Sequence, residues 1–205
     1  MSIPKNHYFN PVPEVASKPH TVHLHTGALD LELQADRGVF GARRVDLGTL
    51  TLLKEAPAPP AEGDILDLGA GYGPIAIALA KASPEARIWA VDVNERALQL
   101  SRANAQAAGL VNVTVAAPDD VPDGVRFAAI YSNPPVRIGK AALHGILDRW
   151  LDRLAPGGAA YLVVQRNLGS DSLAAWLAAS GRAVERLKSK KGYRILRVAP
   201  EPRLH

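Results

Sequence analysis

Short apolar runs alternate with helical patterns from residue 64 onward, and this alternation restricts the possible folds more than any other feature of the chain. The runs ILDL at 65–68 and RIWAVDV at 87–93 are mostly apolar on both faces, as buried strands are. Amphipathic patterns at 74–82 and 95–109 predict helices. Further strands are predicted at NVTVAA, AAIYS, AAYLVV and YRILRV, and further helices near residues 140–153 and 171–180. This order is typical of an α/β fold with a mostly parallel sheet covered by helices on both faces.

The first 60 residues carry a different pattern. The segments HTVHLHT at 20–26 and LDLELQ at 29–34 alternate apolar and polar residues around a glycine, which predicts an antiparallel hairpin. A helix is expected next, and its buried side is predicted to consist of four leucines: Leu47, Leu50, Leu52 and Leu53. The proline-rich connector at 56–64 then predicts a boundary between an N-terminal extension at 1–60 and a core at 61–205, packed as one compact domain.

Composition excludes several classes of protein. The 205 residues are 47% hydrophobic, which suits one domain with a substantial core, and the absence of cysteine excludes disulfides and thiolate metal sites. The strand residues His20, His23 and His25 do not share one face, so no metal site is expected. The chain has neither the roughly 20 apolar residues of a membrane helix nor an apolar segment typical of a signal peptide. We therefore expect a cytoplasmic protein with no membrane partner.

Positive charge is concentrated near the C-terminus. Residues 182–205 carry eight Lys or Arg and two Glu, a net charge of +6, whereas the other 181 residues carry 16 basic and 18 acidic groups. A basic segment on a nearly neutral body is typical of a surface that binds phosphate groups. An ordinary solvated surface explains the same pattern equally well.

A glycine-rich turn, DLGAGYGP at 67–74, follows the first core strand. Open parallel sheets bind ligands at the carboxyl ends of their strands, where glycines let the backbone approach closely. A nicotinamide fingerprint requires glycine or alanine where Pro74 stands, and the carboxylate of Asp67 would repel a pyrophosphate and attract an ammonium group. Asp92 closes the second strand, 25 residues after Asp67, where it can bind ribose hydroxyls. The two acids together fit an adenosine attached to an amino acid.

The turn and the acid after it resemble those of the class I S-adenosylmethionine-dependent methyltransferases, which have a Rossmann-like fold. The resemblance implies a seven-stranded sheet, a glycine turn that holds the methionine part of the cofactor, and Asp92 on the ribose. It also implies that an acid after the next strand contacts the adenine. That acid is expected to be Asp119, although Asp120 fits the same loose register.

The segment Asn133, Pro134 and Pro135 follows the strand AAIYS and is expected at the same edge of the sheet. A proline disfavours helical geometry at the residue before it and cannot donate to a β-ladder, so the strand must end here. The side-chain oxygen of Asn133 and the carbonyl of Pro134 are then left as acceptors. They can orient an exocyclic amine and let positive charge build on its nitrogen as a methyl group arrives. These three residues are the predicted catalytic residues.

Several separated blocks resemble the RsmC family, the ribosomal RNA small subunit methyltransferases C, and especially its short single-domain members. The blocks are HYFNPVPEVASKPHTVHL, DRGVFGARRVDLGT, NPPVRIGK, LVVQRNLGSDSLAAWL and KSKKGYRILRV, which together extend from about residue 7 to 198. The resemblance implies transfer of a methyl group from S-adenosylmethionine to the exocyclic N2 of a guanine in 16S ribosomal RNA. The predicted partner is ribosomal RNA or the small ribosomal subunit.

The chain departs from the patterns of these families at two positions. Val136 stands where amino-adenine enzymes usually present an aromatic residue that stacks on the target base, so Phe40, Tyr8 or Tyr193 is expected to take this role. Ala128 stands where the fourth strand usually has an acid. The resemblance also places Phe40 against the cofactor.

The prediction assigns residues to two sets. The cofactor-binding set is Phe40, Asp67, Gly69, Ala70, Gly71, Gly73, Pro74, Asp92, Val93, Asp119 and Asn133. The substrate-binding set is Val136, Arg137, Lys140 and Tyr193. Two other functions stay open, namely methylation of a protein glutamine or a small-molecule amine, and RNA binding without catalysis. The sequence does not distinguish a monomer from a homodimer.

Overall fold

The computed structural model describes residues 15–200 apart from positions 28 and 42, so Tyr8 lies outside the described residues. The strands are β1 (His20–Thr26), β2 (Leu29–Ala35), β3 (Asp64–Leu68), β4 (Arg87–Val91), β5 (Val113–Ala116), β6 (Phe127–Ser132), β7 (Leu154–Gln165), β8 (Arg182–Lys190) and β9 (Tyr193–Pro200). The α-helices are α1 (Leu47–Glu55), α2 (Pro74–Ala82), α3 (Glu95–Ala107), α4 (Lys140–Leu151) and α5 (Ser170–Ala179). Across the described positions, no helix is both long enough and apolar enough to cross a membrane.

Seven of these strands form one sheet, in the order β5-β4-β3-β6-β7-β9-β8. The pairs from β5 to β7 are parallel, whereas β9 is antiparallel to both of its neighbours. The prediction of an α/β fold with a mostly parallel seven-stranded sheet is therefore confirmed. Because the order reverses direction at β3, the carboxyl ends of β3, β4 and β6 meet where such sheets bind ligands.

Adjacent residues of the central strand β3 serve opposite faces of the sheet. Ile65 belongs to a buried cluster with Leu52 of α1 and Leu79 of α2. Leu66 belongs to a second cluster, which contains Leu147 of α4 and side chains of α5. Successive side chains of a strand point to opposite faces, so the uninterrupted apolar run predicted a sheet that is buried on both sides.

The predicted N-terminal hairpin is confirmed, because β1 and β2 pair antiparallel. Its buried residues, such as Leu24, share a cluster with Tyr72 of the glycine turn. Asn104 of α3 links the two: its side chain accepts a hydrogen bond from the amide of Gln34 at 2.7 Å and donates to the carbonyls of Gln34 at 2.9 Å and Tyr72 at 2.8 Å. One buried amide side chain thus fixes the hairpin relative to the turn.

Three details differ from the sequence-based expectations. The strand predicted at 87–93 ends at Val91, after which Asp92 bonds to the glycine turn. Leu47 is 41% exposed, so its predicted place on the buried side of α1 is wrong; as the first residue of the helix it lines an open groove instead. Strand β8 lies in the basic C-terminal segment, where the sequence predicts no strand. It is an exposed edge strand, and its polar residues lack the apolar pattern of a buried strand.

Replacing Asn104 with leucine is expected to lower the free energy of unfolding by about 2–4 kcal/mol, because the amide and carbonyl of Gln34 and the buried carbonyl of Tyr72 lose their partner. Gln106→Leu, on the exposed side of α3, is the matched control and should change it by less than about 0.5 kcal/mol. Urea unfolding measures both values, and equally small effects would contradict the bridging role of Asn104.

Candidate functional site

The ends of three neighbouring parallel strands meet at one edge of the sheet. The last residue of β3 pairs with the last residue of β4 on one side and with the last residue of β6 on the other. The next residues along these strands are Gly69, Asp92 and Asn133. The sheet register therefore brings together a glycine turn, an acid and an amide that are far apart in sequence.

Backbone hydrogen bonds and positive φ angles shape the glycine turn. The amides of Gly69 and Ala70 donate to the carbonyl of Val91, and the amide of Gly71 donates to the carboxylate of Asp92 at 2.8 Å. The φ angles of 77° at Gly69 and 58° at Gly71 favour glycine, because a Cβ is strained there. The turn is thus fastened to the end of β4 and to the acid that follows it.

Asp67 supports the turn from behind. The N-cap residue of α2 is Gly73, which has no side chain, and the first residue of the helix is Pro74, which has no N–H. The Asp67 carboxyl takes the place of a capping side chain, because it accepts the amide of Ala76 at 2.9 Å. A Cβ on Gly73 would lie 2.7 Å from the hydroxyl of Ser101, so this glycine allows α3 to pack closely. Within the described structure, Gly73 and Pro74 therefore shape the backbone of the turn.

The Asp67 carboxyl is fully buried, and its Oδ1 atom has no hydrogen-bond partner among the described residues. Burial raises its pKa to about 8; the hydrogen bond from Ala76 opposes this rise, and the nearby charge of Asp92 adds to it. The sequence predicts that the carboxylate of Asp67 attracts an ammonium group, and the structure places this carboxyl behind the turn. At neutral pH it is largely protonated and has no exposed surface.

A cavity of about 590 Å³ opens beside the turn and is closed on its far side by α4. Asp92 lies at its edge, where its two oxygens accept the amides of Gly71 at 2.8 Å and Asn94 at 2.9 Å. Burial raises the pKa of Asp92, while these amides and that of Val93 lower it. The wall is mostly apolar and consists of Leu68, Val91, Val93, Ala117, Pro118, Ala141, Ala142, Ile146 and Trp150, with Gly69, Asp92, Asp119, Gly145 and Arg149.

Asp119 lies at the rim of this cavity and is bound to Arg149 at 2.8 Å, with most of its side chain exposed. Asp120 does not line the cavity, which favours Asp119 for the expected contact with adenine. A mostly apolar cavity lined by the two carboxylates Asp92 and Asp119 has the chemistry required by adenosine. The residues therefore fit the nucleoside part of S-adenosylmethionine.

A second, narrower cleft shares Gly69 with the cavity and contains Asn133. Its wall includes three residues that the sequence did not single out, namely Asp46, Thr49 and Tyr72. Tyr72 is almost fully buried, and its hydroxyl has no hydrogen-bond partner among the described residues. For Asp46 and Thr49 the sequence offers one indication, the pattern VDLGT at 45–49, because an Asp before a helix is a common N-cap.

The Asn-Pro-Pro segment ends β6 as predicted and presents one free acceptor. The side-chain nitrogen of Asn133 donates to Asp46 at 2.8 Å and to Thr49 at 3.2 Å. The carbonyl of Pro134 accepts the amide of Val136 at 2.8 Å, which closes a tight turn around Pro135. Among the described residues, the Asn133 oxygen accepts no hydrogen bond, whereas the Pro134 carbonyl is already partly engaged.

An outer groove of about 360 Å³ continues from the cleft, with which it shares Phe40, Gly41 and Asp46. Phe40 is 67% exposed, which is unusual for a phenylalanine and excludes a core role. The remaining lining residues are Arg43, Arg44, Leu47 and Tyr193. The groove thus combines two aromatic rings with two arginines directly outside the cleft of Asn133.

The other predicted substrate-binding residues, Val136, Arg137 and Lys140, do not line this groove. Val136 is partly buried and packs against the core cluster that contains Leu143 and Leu147 of α4. Arg137 and Lys140 are exposed, on the short turn after the Asn-Pro-Pro segment and at the start of α4.

Ion pairs neutralise much of the basic C-terminal segment. Arg182 pairs with Asp148 and Asp152, while Arg186 pairs with Asp171, all within 3.0 Å. The remaining pairs join Lys190 to Glu55 and Arg194 to Asp171. The charge counted from the sequence therefore overstates the field available to a phosphate ligand at this end of the sheet.

His23 and His25 lie on the exposed side of the hairpin, each 3.8 Å from an acid of β2, Glu32 and Asp30 respectively, whereas His20 lies on the same side of the strand as the buried Val22 and Leu24. Over the described ranges, no group of three or more His, Asp or Glu side chains could hold a metal ion.

The pKa of Asp67 predicts a pH effect on stability. Because the folded pKa of about 8 exceeds the unfolded value of about 3.9, the folded state keeps a proton that the unfolded state releases, and stability falls as the pH rises between these values. Asp67→Asn should remove up to about 1.4 kcal/mol per pH unit from this slope. Urea unfolding from pH 5 to pH 8 tests it, with Asp64→Asn as control; identical slopes for the wild type and Asp67→Asn would contradict it.

Comparison with known proteins places this site in a family. The family described as the methyltransferase small domain matches residues 30–197. The Bacillus subtilis protein YbxB, itself uncharacterised, is 36% identical over 93% of this chain and 96% of its own length. The ribosomal RNA small subunit methyltransferase C of Shewanella halifaxensis is 36% identical over 67% of this chain, which spans only 41% of that relative.

A solved structure shows the same fold. The T. thermophilus 16S rRNA N2 methyltransferase RsmC, in complex with AdoMet and guanosine, superposes with a TM-score of 0.72 at 24% identity, over 92% of this chain and 52% of that chain. The chain belongs to the methyltransferase small domain family and is an S-adenosylmethionine-dependent methyltransferase related to ribosomal RNA methyltransferases.

Proposed function

We propose that this protein methylates the exocyclic N2 of a guanine in 16S ribosomal RNA, in the cytoplasm, on naked RNA or on the small ribosomal subunit. The observation that carries the proposal is the free side-chain oxygen of Asn133, which lies where the cofactor cleft meets an aromatic and basic groove. A single acceptor at this point suits an amine donor, and the groove outside suits a nucleotide.

The cofactor is proposed to lie along the sheet edge. Bound there, S-adenosylmethionine supplies an electrophilic methyl group on sulfur. Asp92 would accept hydrogen bonds from the ribose, Val93 and Asp119 would border the adenine, and the backbone of residues 69–71, which lines the cleft, would hold the methionine part. Gly69, which lines both the cavity and the cleft, marks the passage between nucleoside and methyl group.

Asn133 orients the acceptor amine. The lone pair of an exocyclic guanine amine is delocalised into the ring, so the amine is a weak nucleophile until its hydrogens are held and positive charge on nitrogen is stabilised. The Asn133 oxygen provides this contact, and the second lone pair of the Pro134 carbonyl is available for the other hydrogen. The amine proton that is lost after transfer passes to solvent through the open groove.

The outer groove favours RNA over a protein or small-molecule acceptor. Phe40 and Tyr193 offer ring faces on which an extruded base can stack, as expected for enzymes that modify single bases. Arg43 and Arg44 have no ion-pair partner among the described residues and are available to phosphates. Arg137 and Lys140, which follow the Asn-Pro-Pro segment, are also exposed and add positive charge.

Asn133→Ala is expected to lower kcat by about 100- to 1,000-fold, while the Kd for S-adenosylmethionine changes by less than about threefold. The assay is tritiated methyl transfer to 16S RNA and to 30S and 50S subunits, followed by nucleoside analysis of the labelled RNA. Label in N2-methylguanosine from 16S RNA supports the proposal. Label in another nucleoside, in 50S subunits, or in protein after RNase treatment would contradict it.

Phe40→Ala should raise KM for RNA by about 5- to 100-fold, because stacking on one base contributes about 1–3 kcal/mol. Leu168→Ala, at another exposed apolar side chain, is the control. Isothermal titration with S-adenosylmethionine separates the two roles expected of Phe40. A loss confined to cofactor affinity would show that Phe40 serves the cofactor and that Tyr193 stacks the base.

A further inference from the structure

We propose that Asp46 is a positioning residue, which holds the amide of Asn133 so that only its oxygen faces the methyl acceptor; this rests on the proposed function. Asp46 lies N-terminal to the proline-rich connector, whereas the cofactor turn and Asn133 lie after it. The segment that carries the hairpin and α1 therefore contributes a functional part to the site.

The hydrogen bonds of Asn133 fix the orientation of its amide. The side-chain nitrogen has two N–H donors, and these meet the carboxylate of Asp46 at 2.8 Å and the hydroxyl of Thr49 at 3.2 Å. An ionised carboxylate only accepts hydrogen bonds, so a flipped amide would set two oxygens against each other. The Thr49 hydroxyl tolerates either orientation because it both donates and accepts. Asp46 is consequently the residue that selects the orientation.

Asp46 is itself held rigidly. Its Oδ2 atom accepts the amides of Gly48 at 2.7 Å and Thr49 at 3.4 Å, which makes Asp46 the N-cap of α1. The positive end of the helix dipole stabilises a negative charge at this position. One carboxylate oxygen therefore starts the helix and receives the amide of Asn133.

Gly48 provides an independent observation. A Cβ at this position would lie 2.8 Å from Oδ2 of Asp46, 2.9 Å from the ring of Tyr193 and 3.2 Å from the side-chain nitrogen of Asn133. Gly48 lies within α1, where alanine would favour the helix. The absence of a side chain is thus explained by the close approach of Asp46, Asn133 and Tyr193, and not by the helix.

This arrangement restricts the acceptor chemically. With both N–H groups of Asn133 occupied, the site presents an oxygen acceptor and no amide donor to the substrate. A nitrogen with an attached hydrogen can donate a hydrogen bond to the Asn133 oxygen. A ring nitrogen without hydrogen would instead place its lone pair against the lone pairs of that oxygen. The Asp46 carboxylate also polarises the Asn133 amide, which increases negative charge on the oxygen as the amine becomes positive.

The test separates positioning from helix capping. Asp46→Ser keeps an N-cap side chain but is too short to reach Asn133, and Asp46→Asn keeps the shape without the charge. Asp46→Ser should lower kcat by about 10- to 100-fold, with KM for the acceptor and Kd for S-adenosylmethionine within about threefold of wild type. Asp46→Asn should lower kcat less than Asp46→Ser, because its side-chain oxygen can still cap α1 and accept from Asn133. Asp30→Ser, at an exposed acid of the hairpin, is the control and should leave kcat unchanged.

Gly48→Ala tests the positioning role by crowding Asp46 and Asn133 without changing either residue. The new methyl group displaces Asp46 or Asn133 and should lower kcat by about 10-fold or more, although alanine favours the helix. Thermal unfolding shows whether α1 is damaged. Wild-type kcat in Gly48→Ala, or a loss of kcat that follows a lower Tm in every variant, would overturn the positioning role.

A spectroscopic measurement decides the proposal without turnover. The Asn133 side-chain NH2 signals, assigned by their loss in Asn133→Ala, should show slowed hydrogen exchange in the wild type and faster exchange in Asp46→Ser. Unchanged exchange would overturn the positioning role. If the wild type methylates no RNA but NH2 exchange is still faster in Asp46→Ser, the proposed substrate is wrong and the positioning role stands. The kinetic comparison of the variants is then made with the acceptor that is methylated.

Discussion

The parallel register of β3 with β4 and β6 is the constraint on which the rest of the site depends. Because the three strands end together, Gly69, Asp92 and Asn133 emerge at one edge. The carboxylate of Asp92 then fastens the glycine turn through the amide of Gly71 at 2.8 Å. A one-residue slip of any of these strands would turn its side chains to the opposite face and separate the groups.

The N-terminal segment before the proline-rich connector contributes Phe40, Asp46 and Thr49 to the cleft at the sheet edge. Asn104 ties β2 to the glycine turn, and Asn94 donates to the carbonyl of Gly38 at 2.9 Å, which holds the loop before α1. The backbone N–H of the same Asn94 donates to the carboxylate of Asp92. Asn94 therefore contacts both the acid proposed to bind the ribose and the loop that carries Phe40. Cofactor and acceptor surfaces are therefore mechanically connected.

Local chemistry made much of this predictable from the sequence. The glycine turn, the acid 25 residues after Asp67 and the prolines that end β6 each act over a few residues, so their places in the fold followed from pattern alone. Asp46 could not be found in this way, because its contact with Asn133 joins positions 87 residues apart. The burial of Asp67 and the ion pairs of the basic segment depend likewise on packing between distant elements.

The central claim is that the Asn133 oxygen receives the exocyclic amine of a guanine. A crystal structure with S-adenosylhomocysteine and guanosine tests it most directly. The guanine amine is expected within about 3.2 Å of the Asn133 oxygen, with the side-chain nitrogen of Asn133 still on Asp46. A guanine bound elsewhere, or an amide rotated so that its nitrogen faces the base, would contradict the claim.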